Sequence, residues 1–167
     1  MNEQFLNLTE ENLDREHLCC IIRSKKPHPG VEAKRAWLRE RLREGHVFRK
    51  LDAKGVVFIE YAPLETAWVP IEGEHYLYLY CLWVTGEFKG KGYGRQLMEE
   101  SFRRASAMGY EAIVIFGDPN NYVGRGFQSC KKFRVSAEGG KYPAAMLVKE
   151  LIPGALAGHQ WTYHDST

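Results

Sequence analysis

The sequence predicts a mixed α/β (α+β) fold, with helices packed on a mostly antiparallel central sheet. Three observations carry this. The patterned segments run strand, helix, three strands, helix, strand, short helix, two strands. Residues 75–84 (HYLYLYCLWV) form a long run in which Tyr76, Tyr78 and Tyr80 share one face and Leu77, Leu79 and Cys81 the other, so both faces of this strand are expected to be covered. A glycine-rich loop then leads straight into an amphipathic helix. The 167 residues fit one domain, 1–167, with a core over about 16–150, a polar N-terminal segment and a short C-terminal tail.

The elements follow in order. Residues 17–23 (HLCCIIR) read as a short buried strand, and 24–30 (SKKPHPG) as a loop. Residues 31–44 have helical periodicity, with Val31, Trp37, Leu38 and Leu42 on one side and Lys34, Arg35, Arg39, Arg41 and Arg43 around the rest. Gly45 stops this helix. The basic residues read as a solvated face in preference to a binding patch. Residues 46–52 and 55–61 form two strands joined by a turn at Ala53-Lys54-Gly55. Pro63 and Pro70 bracket an irregular stretch that contains Glu65, Trp68 and Glu72. Past the glycine loop, Tyr93, Leu97, Met98, Phe102, Ala105 and Met108 recur at helical spacing, and Gly109 ends the helix. Residues 111–116 (EAIVIF) are a buried strand. Asp118 and Pro119 then supply an N-cap and a first helical residue. Strands are expected near 126–134 and 143–150, and the tail from Pro153 has no clear period.

Composition narrows the classes of function. A formal net charge of +2 carries no whole-molecule signal for nucleic acid or an acidic membrane. Cys19, Cys20, Cys81 and Cys130 include no CxxC pair, so they read as small buried hydrophobes in a reducing compartment. The six histidines are scattered without HxH or HxxxH spacing, and no metal is expected. The opening segment MNEQFLNLTEENLDREH is acidic and polar, unlike a leader or an anchor, so the expected compartment is the cytoplasm.

The chemistry concentrates in Lys89-Gly90-Lys91-Gly92-Tyr93-Gly94-Arg95. Glycines let the backbone approach a phosphate and turn N–H groups toward it, a helix N-terminus adds partial positive charge, and Lys89, Lys91 and Arg95 add full charges. This makes an anion site suited to a pyrophosphate. A Walker A loop does not fit, because Gly90-Lys91 comes one residue early after Gly86 and Gly92 stands where Ser or Thr would hold magnesium. A Rossmann fingerprint does not fit either, because the third glycine is one place early and the loop lies mid-chain.

Lys89-Gly90-Lys91-Gly92-Tyr93-Gly94 resembles the Q/R-x-x-G-x-G/A pyrophosphate loop of the GNAT superfamily of N-acetyltransferases, with Lys89 where Gln or Arg is usual. Gly117-Asp118-Pro119-Asn120-Asn121-Tyr122-Val123-Gly124-Arg125-Gly126-Phe127 resembles the GDPxYYxxxGF stretch found after the fifth strand in many members, with Asn121 in place of the first Tyr. The likeness covers residues 75–130 well; the first half matches only in its order of elements.

The resemblance implies a GNAT-like sheet splayed between its fourth and fifth strands, with acetyl-CoA as cosubstrate and no metal. Pantetheine would pair with the backbone near Leu82, Trp83 and Val84, as an added strand does. Pyrophosphate would meet the amides from Gly90 to Arg95, and Asn121 and Tyr122 would lie along the cofactor. A backbone N–H at Trp83–Val84 would polarise the thioester carbonyl. Tyr122 has two readings: the acid that protonates the departing thiolate, and a packing residue beneath the cofactor. Many members carry a carboxylate on the fourth strand where this chain has Tyr78, so the base is sought first at Glu60, then Glu65, then His75. Nothing in sequence flanks Cys81 or Cys130 as a Cys–His pair would, which argues against an acyl-cysteine.

The expected reaction is direct attack by a primary amine, on a small molecule or a peptide, upon the thioester. Glu60, Glu65, Glu72 and Glu74 with Tyr61, Trp68, Tyr76 and Tyr78 would suit a cationic acceptor. No nucleic-acid or membrane partner is expected, and the chain is read as a monomer or homodimer. A CoA-binding regulatory module without turnover is the alternative, motivated by the missing fourth-strand carboxylate. A nucleic-acid binder using the basic helix is a third.

Overall fold

The computed structural model describes residues 5–20, 27–53, 56–69, 71, 74–158 and 160–163. Its strands and helices are β1 (Phe5–Asn7), α1 (Pro29–Leu42), β2 (Val47–Leu51), β3 (Val57–Pro63), β4 (Tyr76–Val84), α2 (Tyr93–Ala107), β5 (Ala112–Phe116), α3 (Pro119–Tyr122), β6 (Gln128–Ser129), β7 (Val135–Ala137), β8 (Met146–Glu150) and β9 (Trp161–Tyr163). Seven strands form one sheet in the order β1-β2-β3-β4-β5-β8-β6, and β7 pairs with β9 in a second. β4 and β5 are parallel, whereas β1–β2, β2–β3, β5–β8 and β6–β8 are antiparallel. The mostly antiparallel sheet is the one expected. Two compact units divide the chain, Met1–Tyr61 with Cys81–Met98, and Ala62–Tyr80 with Glu99–Thr167.

In the first unit the core is built from Leu8, Leu13, Leu18, Leu38, Phe48 and Phe58, with Trp37, Leu42, Cys81 and Trp83 packed against it. The Phe48 and Phe58 rings stack at 4.4 Å. α1 begins at Pro29, whose missing N–H costs nothing in a first turn, and the His28 imidazole accepts the Gly30 N–H at 3.1 Å. Its apolar side is the one read from periodicity. On its basic side Lys34 pairs with Glu60, Arg35 with Glu32, Arg39 with Asp14, Arg41 with Glu44 and Arg43 with Glu10.

The predicted strand at 17–23 is not found in residues 17–20, which are irregular, and Ile21, Ile22 and Arg23 lie outside the described residues. The edge position beside β2 is held instead by Phe5–Asn7, through Leu6↔Lys50. Leu18 serves the core without strand pairing and is fully buried. Residues 24–26 of the predicted loop, Lys54 and Gly55 of the predicted turn, and Pro70 and Glu72 also lie outside the described residues.

In the second unit Tyr76, Ala112, Val114, Cys130, Val135, Met146, Val148 and Leu156 form the core. The parallel ladder of β4 and β5 runs from Tyr76↔Ala112 to Leu79↔Ile115 and stops there, although β5 continues to Phe116 and β4 to Val84. β4 therefore runs on past its last pair with β5.

The strand expected at 126–134 is only Gln128–Ser129. Ser129 then accepts the Lys131 N–H at 3.3 Å and caps a 3-10 turn over Cys130–Phe133. A serine hydroxyl competing for backbone donors ends the strand early. The strand expected at 143–150 is shorter, Met146–Glu150. The tail is tied down despite its lack of period. The Glu150 carboxylate accepts the N–H groups of Gly154 and Leu156, Leu156 is buried, and Trp161–Tyr163 pairs in parallel with Val135–Ala137. Among the described residues no helix is long and apolar enough to cross a membrane.

Candidate active site

β4 delivers the chain to the glycine loop, and a clasp fixes where it ends. The Thr85 hydroxyl accepts the Val56 N–H at 3.2 Å, and the Thr85 N–H donates to the Val56 carbonyl at 3.0 Å. A 3-10 turn, Gly86–Phe88, follows. Phe88 is buried and meets the Tyr93 ring edge-on at 5.8 Å; Phe5 meets Tyr93 from another side at 6.3 Å. These rings pin both ends of the loop, leaving Lys89, Gly90, Lys91 and Gly92 exposed. Lys91 lies over the Phe88 ring, with Nζ 5.5 Å from its centre.

Gly90 and Gly92 have φ of 78° and 83°, which explains glycine at both positions. The first intrahelical bond of α2 runs from the Gln96 N–H to the Gly92 carbonyl at 2.9 Å. The Tyr93 and Gly94 N–H groups lie ahead of that bond and suit an anion. Gly94 has a different role. A Cβ there would stand 3.3 Å from Val84 Cγ2 and 3.9 Å from Leu82 Cδ2, so its absence lets α2 begin hard against the end of β4. Trp83, between those residues, points to the other face and packs with the α1 core. Its indole Nε1 is buried with no hydrogen-bond partner among the described residues.

The second unit holds the Tyr122 segment. The Asp118 carboxylate accepts the Asn120 N–H at 2.9 Å, and Pro119 opens α3, as the sequence predicts. Asn121 is exposed; its N–H donates to the Asp118 carbonyl at 2.9 Å and its own carbonyl accepts from Arg125 at 3.2 Å. Tyr122 is half-buried, its ring edge-on to Phe127 at 5.8 Å. A Cβ on Gly117 would lie 2.5 Å from Tyr122 Cε2, so the ring rests on bare backbone. Gly117→Ala should displace Tyr122 and lower stability by about 1–3 kcal/mol through overpacking, read by urea denaturation; an unchanged midpoint would show that the ring moves freely.

Glu60 lies on β3, 3% exposed, with Oε2 2.7 Å from Lys34 Nζ and Oε1 3.1 Å from His46 Nε2. Burial pushes its carboxyl up, but the hydrogen bond from His46 and the Lys34 ammonium outweigh that and hold it below its usual range. The Trp37 ring stands edge-on to His46 at 5.2 Å. Beside them, burial and the neighbouring Cys20 thiol push Cys81 up to about 12. A thiol that is protonated at neutral pH is a poor acyl carrier. Burial likewise raises Cys130, whose thiol donates to the Pro143 carbonyl.

The other acid–base candidates sit in the second unit. Glu65 is exposed and accepts the His75 N–H at 2.6 Å, holding that residue at φ 64°. The Tyr80 hydroxyl accepts the Trp68 N–H at 3.1 Å, and Tyr78 meets Tyr80 edge-on at 4.8 Å. Among the described residues no group of His, Cys, Asp and Glu is arranged to hold a metal ion. Sequence reasoning missed the Lys34 and His46 partners of Glu60, which are 26 and 14 residues away from it and share no motif. It also missed the Phe88–Tyr93 pin, whose only signal was two aromatics flanking the glycines.

Residues 10–128 match the family described as Acetyltransferase (GNAT) family. The chain belongs to the GNAT acetyltransferase family. This GNAT chain is 36% identical over 110 residues to the uncharacterized N-acetyltransferase YoaP of Bacillus subtilis (strain 168), an alignment covering 66% of this chain and 44% of that protein. It therefore spans less than half the length of that relative. The crystal structure of the GNAT family N-acetyltransferase YhbS from Escherichia coli in complex with CoA superposes with a TM-score of 0.65 at 21% identity, covering 98% of this chain and 92% of that one. A GNAT family acetyltransferase from Brucella melitensis in complex with acetyl-CoA gives 0.55 at 16% identity, with 91% of each chain covered. At these identities both share the GNAT fold with this chain.

Proposed function

We propose that this chain is an N-acetyltransferase, a single domain over 1–167, that moves the acetyl group of acetyl-CoA to a primary amine by direct attack on the thioester. The observation that carries the reading is the junction of β4, the glycine loop and the first turn of α2, in a chain of the GNAT family. The CoA and acetyl-CoA complexes of the YhbS and Brucella proteins support the same cofactor here.

In this reading pantetheine amides pair with the backbone of Leu82, Trp83 and Val84 where β4 runs past its ladder with β5. The amides from Gly90 through Lys91, Gly92, Tyr93 and Gly94 to Arg95 hold the pyrophosphate, and Lys89 and Lys91 add charge. Asn121 and Tyr122 flank the cofactor. The free amine attacks the carbonyl carbon, a C–N bond forms, and the π pair moves to oxygen, where a backbone N–H at Trp83–Val84 meets it. Collapse breaks the C–S bond, and the Tyr122 phenol protonates the leaving thiolate.

The amine proton goes to Glu60. A carboxylate held below its usual range is a weak base alone, so the acceptor is the Glu60–His46 pair: Nε2–H donates to the carboxylate at 3.1 Å, and the other ring nitrogen, Nδ1, is the second site for a proton. Exposed Glu65, bonded to the His75 backbone, follows as candidate, and His75 after it. The acceptor is a small-molecule or peptide amine; the chain acts in the cytoplasm, as a monomer or homodimer, with no metal, nucleic acid or membrane partner.

Tyr122→Phe tests the assignment. With acetyl-CoA and a panel of primary amines, kcat should fall about 10²-fold while the calorimetric Kd for acetyl-CoA stays within twofold. Unchanged kcat would make Tyr122 a packing residue.

A further inference from the structure

Three thiols that the proposed mechanism does not use converge in the first unit. Cys19, Cys20 and Cys81 are half-buried and pack against the same core, the one built on Phe48 and Phe58. Cys130 lies in the second unit and donates to the Pro143 carbonyl. Although far apart in the sequence, the Cys20 and Cys81 side chains are joined by a hydrogen bond. Cys19 is not an equivalent partner. The groups that act on its thiol are Lys34, Cys20, Glu60 and Arg35, whereas the thiol bonded to Cys81 is that of Cys20. The two sulfurs also come from unlike pieces of backbone. Cys81 is on β4, and Cys20 is in the irregular stretch after Leu18, outside any strand. Side chains hold that stretch in place. The Arg35 guanidinium donates to the Leu13 and Glu16 carbonyls, and the His17 Nε2–H donates to the Cys19 carbonyl at 2.5 Å. A disulfide brings its sulfurs to about 2.05 Å, closer than any hydrogen bond does. Cys20 can make that move without breaking a sheet hydrogen bond, because it lies in no ladder.

We infer that Cys20 and Cys81 are a reversible disulfide pair, a modification site that a low-molecular-weight disulfide such as oxidised glutathione closes. The pair stands independently of the acetyltransferase reading. Burial and the neighbouring Cys20 thiol hold Cys81 protonated, with its pKa pushed up to about 12, so Cys20 opens the exchange. The Cys20 sulfur attacks oxidised glutathione. An S–S bond forms at Cys20, the glutathione S–S bond breaks, and the Cys20 proton leaves with the released glutathione. The Cys81 sulfur then attacks Cys20. The Cys20–Cys81 bond forms, the mixed disulfide breaks, and the second glutathione leaves with the Cys81 proton. The two thiols together lose two electrons and two protons, and one oxidised glutathione becomes two reduced molecules. A protonated thiol is a slow nucleophile, but contact with the mixed disulfide makes the second step intramolecular and offsets this. In a reducing compartment such a pair rests as thiols and closes under oxidant. Cys81 directly precedes Leu82 on β4, so the closed pair fastens that part of the strand to the segment ahead of α1.

The test exposes the folded full chain to oxidised glutathione, caps the remaining thiols with iodoacetamide and reads the digest by mass spectrometry. The expected product is lighter than the starting chain by two hydrogens, carries Cys20 bonded to Cys81, and returns to free thiols with dithiothreitol. Cys19→Ser should form the same link, which separates the two adjacent cysteines. Cys20→Ser should leave Cys81 free. The link closes a loop through α1, β2 and β3, so Tm should rise by about 10 °C in the oxidised wild type and not in Cys20→Ser. Glutathione that stays on Cys20, a link from Cys81 to Cys19, or four free thiols after exposure would each overturn the inference. So would a lower Tm in the linked chain, because it would mean that the fold resists the bond. None of these results bears on acetyl-CoA binding, which the Gly92 variants test separately.

Discussion

Gly92→Glu should weaken acetyl-CoA binding by at least about a hundredfold in calorimetric titration. Two effects add. Gly92 has φ of 83°, a region that side-chain-bearing residues adopt at a cost of about 1–3 kcal/mol. The new carboxylate would also stand in the place proposed for a pyrophosphate. Two unit charges about 4 Å apart repel by about 1 kcal/mol in water and about 4 kcal/mol near a protein surface. Space is not the obstacle, because a Cβ at this position meets nothing within 4 Å. Gly92→Ala separates the two effects. It carries the strain without the charge, so it should lose about tenfold at most. If Glu and Ala weaken binding equally, strain alone matters and the anion lies elsewhere. If neither weakens it, the loop does not hold the cofactor.

What the sequence revealed divides along physical lines. The glycine loop was legible because its residues are contiguous and their function is local: backbone donors, positive φ at Gly90 and Gly92, and a helix start. The Asp118–Pro119 cap was legible for the same reason, since a carboxylate two residues before the N–H it accepts follows from chain geometry. β4 and α2 were legible from period. The failures are tertiary. Leu18, Cys19 and Cys20 are apolar side chains that a strand would also carry, yet Leu18 is buried by side-chain packing and a polar-looking opening segment takes the sheet edge. Ser129 redirects a backbone that hydropathy alone would continue as strand. The partners of Arg39 and Arg43 on α1, Asp14 and Glu10, were not legible because they lie in a segment with no period of its own. Counting back from the loop leads to Tyr78, and Glu60 is reached only as the acid at the end of the third strand. Its Lys34 and His46 partners were invisible, because an ion cluster assembled from a helix, the connection after it and a strand leaves no spacing in any one of them.

That cluster sets the second large effect. Glu60→Ala should destabilise the fold by about 3–5 kcal/mol, because it leaves a lysine ammonium and a buried imidazole facing a cavity where their shared carboxylate stood. For a chain of 167 residues that is a drop of about 10 °C or more in Tm. Lys34 is 29% exposed and can turn toward water, which places the expected cost at the lower end of that range. Glu60→Gln keeps the shape and one acceptor, so it should cost less and should fold. Its value is the pH dependence. The folded-state pKa of Glu60 lies below its usual 4.5, so its contribution is fully present above 4.5 and is lost as pH falls through the lower, folded value. The stability gap between wild type and Glu60→Gln, from urea denaturation, should therefore be constant near neutral pH and narrow in acid below that point. A gap that widens in acid would mean that the carboxyl is protonated in the fold and that the Lys34 contact is not an ion pair. The same variant separates fold from chemistry. If Glu60→Gln is folded at pH 7 and binds acetyl-CoA normally, a fall in kcat that flattens the acidic limb of the pH–rate profile assigns the proton to the Glu60–His46 pair. An unchanged profile makes this cluster purely structural and moves the base to Glu65.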